Sequence, residues 1–154
     1  YNVYNTGRGG AIDQVFWSHY TDVAKTPLYP FGFGLSYTKF AYSNLKVSKA
    51  SYKKGETVSV SIQVKNTGSV DGKEVVQLYI RDLVASLARP IKELKAFELA
   101  EIKKGETKKI TFTLTDKELG FFDNDGNFLV EPGAFKVFVG TSSDDVFESG
   151  FELE

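Results

Sequence analysis

The sequence of 154 residues offers few side chains with which to do chemistry, since it holds one histidine, no cysteine and no methionine. Thiolate catalysis, disulfides and Cys-based zinc sites are excluded together, and the single His19 rules out a multi-histidine metal site. The lack of cysteine assigns no compartment. The densest carboxylates, Asp123, Asp125 and Glu131, lie within Phe-Phe-Asp-Asn-Asp-Gly-Asn-Phe-Leu-Val-Glu. General acid–base work needs a cleft that shifts the pKa of one carboxyl group. An Asp-Gly pair between apolar flanks predicts a hairpin tip instead, which supplies no cleft. Nor does the segment suit calcium, because Gly126 is the fourth residue from Asp123 and the calcium loop needs glycine at the sixth.

Three other features invite a chemical reading. Gly32-Phe33-Gly34 opens like a phosphate-binding loop, but Tyr37 stands where a third glycine belongs and no strand-helix unit surrounds it. These glycines are expected to let the chain turn closely against a packed surface. His19 has no nucleophile elbow beside it and is read as a packing residue. Phe16 and Trp17 present ring faces that could stack on a sugar or anchor an interface, and the sequence leaves both open. Between Arg81-Asp82 and Arg89-Pro90 runs a long loop with little turn chemistry. It is either a solvated crossover or a docking loop whose guanidinium groups fork onto a partner's carboxylates or carbonyls.

The elements that must hold these residues are strands. Val58, Val60, Ile62 and Val64 alternate with Ser59, Ser61 and Gln63, and Ile110, Phe112 and Leu114 alternate with threonines. Period two places such sets on opposite faces of a sheet. Further strands are expected over 40–47, 73–81 (Val76, Leu78 and Ile80 inward), about 91–102, 135–139 and 146–153, making about seven. In the first of these the apolar set changes phase between Tyr42 and Leu45, which predicts a bulge near Ser43 and Asn44 and a place for the strand to move between sheets. Asn66-Thr67-Gly68, Asp71-Gly72, Asp125-Gly126 and Pro132-Gly133 supply turns. Lys-Lys-Gly-Glu-Thr occurs at both Lys53–Thr57 and Lys103–Thr107, one turn solution used twice. Only Asp116–Leu119 reads as a helical turn. The pattern predicts an all-β, immunoglobulin-like or fibronectin type III-like antiparallel sandwich over 39–154.

Residues 1–38 differ, holding nine of the 22 aromatic side chains (Tyr1, Tyr4, Phe16, Trp17, Tyr20, Tyr29, Phe31, Phe33, Tyr37) without a sustained period. They are read as an extended arm. Each ring can bury about 150–250 Å², so the arm is expected to pack on the sandwich or on a neighbour. Nineteen basic and 20 acidic residues give a net charge of -1. Neither a nucleic acid nor a membrane surface is expected as partner. No run approaches the roughly 20 apolar residues of a membrane span, and residues 1–10 lack a signal pattern. Starting at Tyr1 and lacking methionine, the sequence is expected to be a piece of a longer chain.

Pro27-Leu28-Tyr29-Pro30-Phe31-Gly32-Phe33-Gly34-Leu35-Ser36-Tyr37 resembles the linker before the carboxy-terminal domain of glycoside hydrolase family 3 enzymes. Lys65-Asn66-Thr67-Gly68, Glu74-Val75-Val76-Gln77-Leu78-Tyr79, Val84-Ala85-Ser86 with Arg89-Pro90, Lys92-Glu93-Leu94-Lys95, Lys104-Gly105-Glu106-Thr107 and Glu131-Pro132-Gly133 are similar, in order, to that family's fibronectin type III-like domain. Upstream, Tyr4-Asn5-Thr6-Gly7-Arg8 and Tyr20-Thr21-Asp22 resemble the end of the α/β sandwich domain, with Gly9 where the family often has proline. The periplasmic β-glucosidase type fits best, β-xylosidases remaining open. The resemblance implies that the nucleophilic aspartate and the acid/base residue lie in a barrel and an α/β sandwich absent here. It therefore implies no catalytic residue and no cofactor or metal in this chain. It implies packing on those domains of the same parent chain and a periplasmic or extracellular setting. The expected interdomain contacts are Phe16, Trp17, Tyr29, Phe31, Phe33, Tyr37, Arg81, Asp82 and Arg89. A carbohydrate-binding module, taking oligo- or polysaccharide, and a protein-interaction sandwich stand as the alternatives.

Overall fold

The computed structural model describes residues 27–154, and Phe16, Trp17 and His19 lie outside them. Two sheets form the body. One has three strands in the order β1 (Phe40–Val47), β3 (Val58–Asn66), β6 (Thr107–Leu114). The other has five, in the order β2 (Ser51–Tyr52), β10 (Val146–Leu153), β9 (Gly133–Gly140), β4 (Gly72–Asp82), β5 (Glu93–Ile102). Seven of these have eight or more residues, as the alternation predicts. A hairpin of β7 (Phe121–Phe122) and β8 (Phe128–Leu129) and the single turn α1 (Asp116–Leu119) complete the described chain.

The core fills the space between the sheets. Val58, Val60, Ile62 and Val64 of β3 are almost completely buried, with Ile110 and Leu114 beside them. Opposite stand Val76, Leu78 and Ile80 of β4 and Val137 and Val139 of β9, in the same cluster. Each such burial stabilises by about 1.5–3 kcal/mol. At one end the Phe135 and Phe151 rings stack at 5.3 Å, and Tyr52 meets Phe151 edge-on at 5.4 Å.

The phase change in β1 is a bulge: Ser43 pairs with Gln63, but Lys46 pairs with Ser61. Asn44 takes the left-handed conformation there, at φ 55°, and its Nδ2 donates to Gln63 Oε1 at 2.7 Å. Phe40, Tyr42, Leu45 and Val47 thus all pack toward the core. The expected transfer between sheets does not happen at this bulge, because pairing with β3 resumes beyond it. The chain crosses over after Val47, and Ser51 and Tyr52 pair in parallel with Glu152 and Leu153.

Both Lys-Lys-Gly-Glu-Thr copies build one turn. Glu56 N–H donates to Lys53 O and Glu106 N–H to Lys103 O, each at 2.9 Å, with Gly55 and Gly105 at φ 85° and 77°. Positive φ at the third position is the type II arrangement. In each, the glutamate carboxylate reaches back to accept from the first lysine's N–H, at 2.9 and 2.8 Å. The helical turn α1 begins with a capping box between Thr115 and Glu118.

Candidate docking surface

The arm enters the described structure as an irregular segment whose backbone is clipped to the five-stranded sheet. Phe33 N–H donates to Pro30 O at 3.0 Å, closing a turn with Gly32 at φ 81°. From that turn Phe31 O accepts from Ser143 N–H at 2.9 Å, and Gly32 O accepts from Gln77 Nε2 at 3.1 Å. Gln77 Nε2 also donates to Thr141 O at 2.6 Å. A Cβ on Gly32 would lie 2.0 Å from Gln77 Oε1, so glycine is needed both for its φ and for the close approach.

The other anchor is Asn66, whose side chain is fully buried and makes four hydrogen bonds. Its Oδ1 accepts from Thr38 Oγ1 at 2.7 Å and Gly68 N–H at 3.1 Å. Its Nδ2 donates to Val70 O at 2.8 Å and Ile102 O at 3.0 Å. One amide thereby joins the end of the arm, the β3–β4 turn and the end of β5, with its capacity for two donated and two accepted bonds used in full. Sequence reasoning took Asn66 for a turn former; its burial was not legible.

Clipping the backbone leaves the arm's side chains outward. Tyr29 and Phe33 pair at 5.2 Å, yet Tyr29 is 66 % exposed, Phe31 46 %, Phe33 49 %, and Tyr37 fully exposed along with Leu28 and Leu35. Beneath them the outer face of the five-stranded sheet is unusual. Gln77 and Tyr79, pointing away from the core, are buried, and Tyr79 Oη donates to Gln77 Oε1. Phe138 on the same face is covered by Lys92, whose Nζ sits 4.9 Å from the ring centre and donates to Ser143 O. Beside this covered zone, Phe97 pairs with Gln77 and Leu99 with Val75. Phe97, Leu99 and Val75 remain substantially exposed. Sequence reasoning missed these three. The signal was there, since β5 sets large residues opposite the small inward Ala96 and Ala100.

Arg81 and Asp82, expected at the start of a loop, instead end β4 because they pair with Lys136 and Phe135 of β9, and only Arg89 lies beyond the strand. Asp82 Oδ1 accepts from Val84 N–H at 3.1 Å, and burial raises its pKa. Arg81 is half-buried in register with Lys136. Arg89 is turned inward, ion-paired with Glu93, its guanidinium 4.6 Å from the Phe121 ring centre. Glu131 Oε2 accepts from Ser86 N–H at 2.8 Å, and hydrogen bonds from Ser86 lower its pKa.

The carboxylate-rich hairpin has the tip its sequence predicts. Asp123 accepts from Asp125 N–H, Asn127 N–H and Asn127 Nδ2 within 3.0 Å, with Gly126 at φ 83°. Its carboxylate closes its own turn, which lowers its pKa, the Asn127 side chain being the main cause. No group of three or more His, Cys, Asp or Glu among the described residues is placed to hold a metal ion. No helix among them is long and apolar enough to cross a membrane.

Against known proteins, residues 74–143 match the family described as the fibronectin type III-like domain. The chain is 40 % identical to the periplasmic β-glucosidase of Salmonella typhimurium over 99 % of its own length and 20 % of that protein's. It is 50 % identical to a β-xylosidase of Formosa agariphila over 77 % of the chain and 16 % of that protein. The crystal structure of β-glucosidase from Listeria innocua in complex with gluconolactone superposes with a TM-score of 0.92, at 40 % identity, over 99 % of this chain and 22 % of that one. A Bifidobacterium adolescentis GH3 β-glucosidase gives a TM-score of 0.74 at 39 % identity, over 81 % of this chain and 18 % of that one. The chain thus spans about a fifth of the length of the relatives it matches. The chain belongs to the fibronectin type III-like domains of family 3 glycoside hydrolases.

Proposed function

We propose that this chain is the non-catalytic accessory part of a retaining β-glycosidase, packing on its catalytic domains, stabilising them and shaping the outer part of the substrate cleft. The observation that carries this reading is the arm, its backbone clipped to the sandwich while its rings face outward. Leaving Tyr29, Phe31, Phe33, Tyr37, Leu28 and Leu35 in water beside Phe97, Leu99 and Val75 exceeds the few hundred Å² of apolar patch usual on a soluble monomer. A neighbouring domain is the natural cover, given that the matched relatives are about five times longer. Phe16, Trp17, Arg81 and Asp82 are assigned to the same interface, whereas Arg89, expected there from the sequence, is turned inward onto Glu93 and Phe121 and is left out of it. The parent enzyme is read as a β-glucosidase or β-xylosidase working in the periplasm, the setting named for the Salmonella relative, or outside the cell.

The test is to produce this chain and the remainder of the parent as separate polypeptides. Together they should co-elute and recover activity on an aryl β-glucoside or β-xyloside, and Tyr37→Ala combined with Phe97→Ser should weaken the association. Hydrolysis by this chain alone would refute the non-catalytic assignment; failure to associate would refute the packing role.

A further inference from the structure

We infer that the cleft beside Arg89 is a binding site for the carboxylate of an acidic sugar, a uronic acid or a saccharide bearing one. The inference does not depend on the packing role above. The cleft, about 690 Å³, is walled by Leu87–Pro90, the start of β5 and the β7–β8 hairpin. Its volume falls within the range of small-molecule sites, about 300–1,000 Å³.

Its charge is unbalanced. Arg89, Lys95 and Lys117 line it together with one carboxylate, Glu93. Glu93 already serves two cations, Oε2 facing Arg89 Nη2 and Oε1 lying 3.5 Å from Lys95 Nζ. The other carboxylates near the guanidinium, Asp82 and Glu131, are bonded to the N–H groups of Val84 and Ser86. Arg89 Nη1 is left buried without a hydrogen-bond partner, the one such side-chain atom among the described residues, on a side chain only 7 % exposed. A buried donor with no acceptor is uncommon in a native fold and calls for a missing partner. A guanidinium that lies against the Phe121 ring, spends one nitrogen on Glu93 and has no acceptor at another suits a second carboxylate. Nη1 is closed off from solvent, so a ligand reaches it only as the side chains around it shift on binding.

The rest of the lining selects a sugar over a simple anion. Phe122 and Phe128 meet edge-on at 5.2 Å and stand exposed on the hairpin, Phe122 at 68 %. Exposed ring faces pair with the apolar faces of pyranoses, and the Asn124 amide at the same lip can both donate to and accept from hydroxyls. The three functions converge only if one ligand carries a carboxylate, hydroxyls and an apolar face.

The probe is titration of the 154-residue chain with D-glucuronate, D-glucose and acetate at matched ionic strength, followed by backbone amide shifts and calorimetry. Saturable glucuronate binding, with shifts confined to 87–95, 117 and 120–128, is expected, glucose and acetate each binding at least about tenfold more weakly. Lys117→Glu, at an exposed position that leaves the fold intact, should weaken glucuronate binding by roughly fivefold, the scale of an exposed ion pair. Phe122→Ala should weaken glucuronate while leaving acetate unchanged. Equal response to glucose and glucuronate overturns the role of the carboxylate, and equal response to acetate and glucuronate overturns the sugar. Glucuronate binding that ignores Lys117→Glu removes the site.

Discussion

The two faces of the five-stranded sheet treat apolar side chains in opposite ways. On the inner face Leu78, Ile80, Val137 and Val139 are sealed against β3 and β6. On the outer face Tyr79 and Phe138 are covered while Phe97, Leu99 and Val75 stay open, and the arm laid across it shows its rings to solvent. The inner face is held by side chains, whereas the arm is held by hydrogen bonds from Ser143, Gln77 and Thr38. Burial therefore secures the fold, and backbone clips position a surface whose apolar side chains contribute little to the fold itself.

Leu78→Ala tests the inner face and should have the largest effect, about 2–5 kcal/mol lost in chemical denaturation. Asn66→Ala strips four bonds from a buried node; leaving their partners unpaired should cost about 2–3 kcal/mol and also speed amide exchange around Thr38. Should it cost no more than a surface change, the node is not what joins arm to sandwich. Gly32→Ala should cost about 1–2 kcal/mol, felt in the arm and not in the core. Its readout is faster exchange of the Ser143 amide with the global unfolding midpoint nearly kept.

Acid should act on the turns. Asp123, Glu131 and Glu56 have pKa values lowered in the fold by hydrogen bonds from Asn127, Ser86 and Lys53 in turn. Their contribution is present above the ordinary carboxylate pKa and is lost as pH falls through the lowered folded value. Glu74 and Asp82, raised by burial, have the opposite sign and favour the fold as they take up protons. Asp123→Asn should flatten part of the acid limb of stability against pH, and an unchanged limb would contradict the turn's role. The smallest change belongs to the outer face: Phe97→Ser should alter the stability of the isolated chain by no more than about 0.5 kcal/mol, its effect appearing only on association with the remainder of the parent.

What was legible followed period two. The inward set of β3 and β6, the bulge at Asn44 and both Lys-Lys-Gly-Glu-Thr turns are local facts, written in alternation and in glycine position. The sheet crossover after Val47 was misplaced because it is fixed by a partner strand about a hundred residues away. For the surface, the arm's aromatics announced themselves by density, and the Gly32 turn by its glycine. That Arg89 would pair inward with Glu93 depends on how the loop after β4 folds over Phe121, which no local pattern encodes. Phe97 and Leu99 were overlooked since apolar residues in a strand are read as core by default, whereas here the smaller alanines face inward.

The parallel pairing of Ser51 and Tyr52 with Glu152 and Leu153 has a kinetic side. Lys54 N–H donates to Glu154 O at 3.3 Å, Glu154 N–H to Tyr52 O at 2.8 Å, and Ser51 Oγ to Glu154 Oε1 at 2.5 Å. Contacts this remote in sequence form late, since the intervening loop must close before any bond rewards it. On the ribosome the three-stranded sheet can assemble once β6 has emerged, but the five-stranded sheet is completed, and β2 joined to it, only by β10. Ser143, which clips the arm, precedes β10 by only a few residues. The Ser143 clip on the arm is thus made near the end of synthesis, well after the Thr38–Asn66 bond can form.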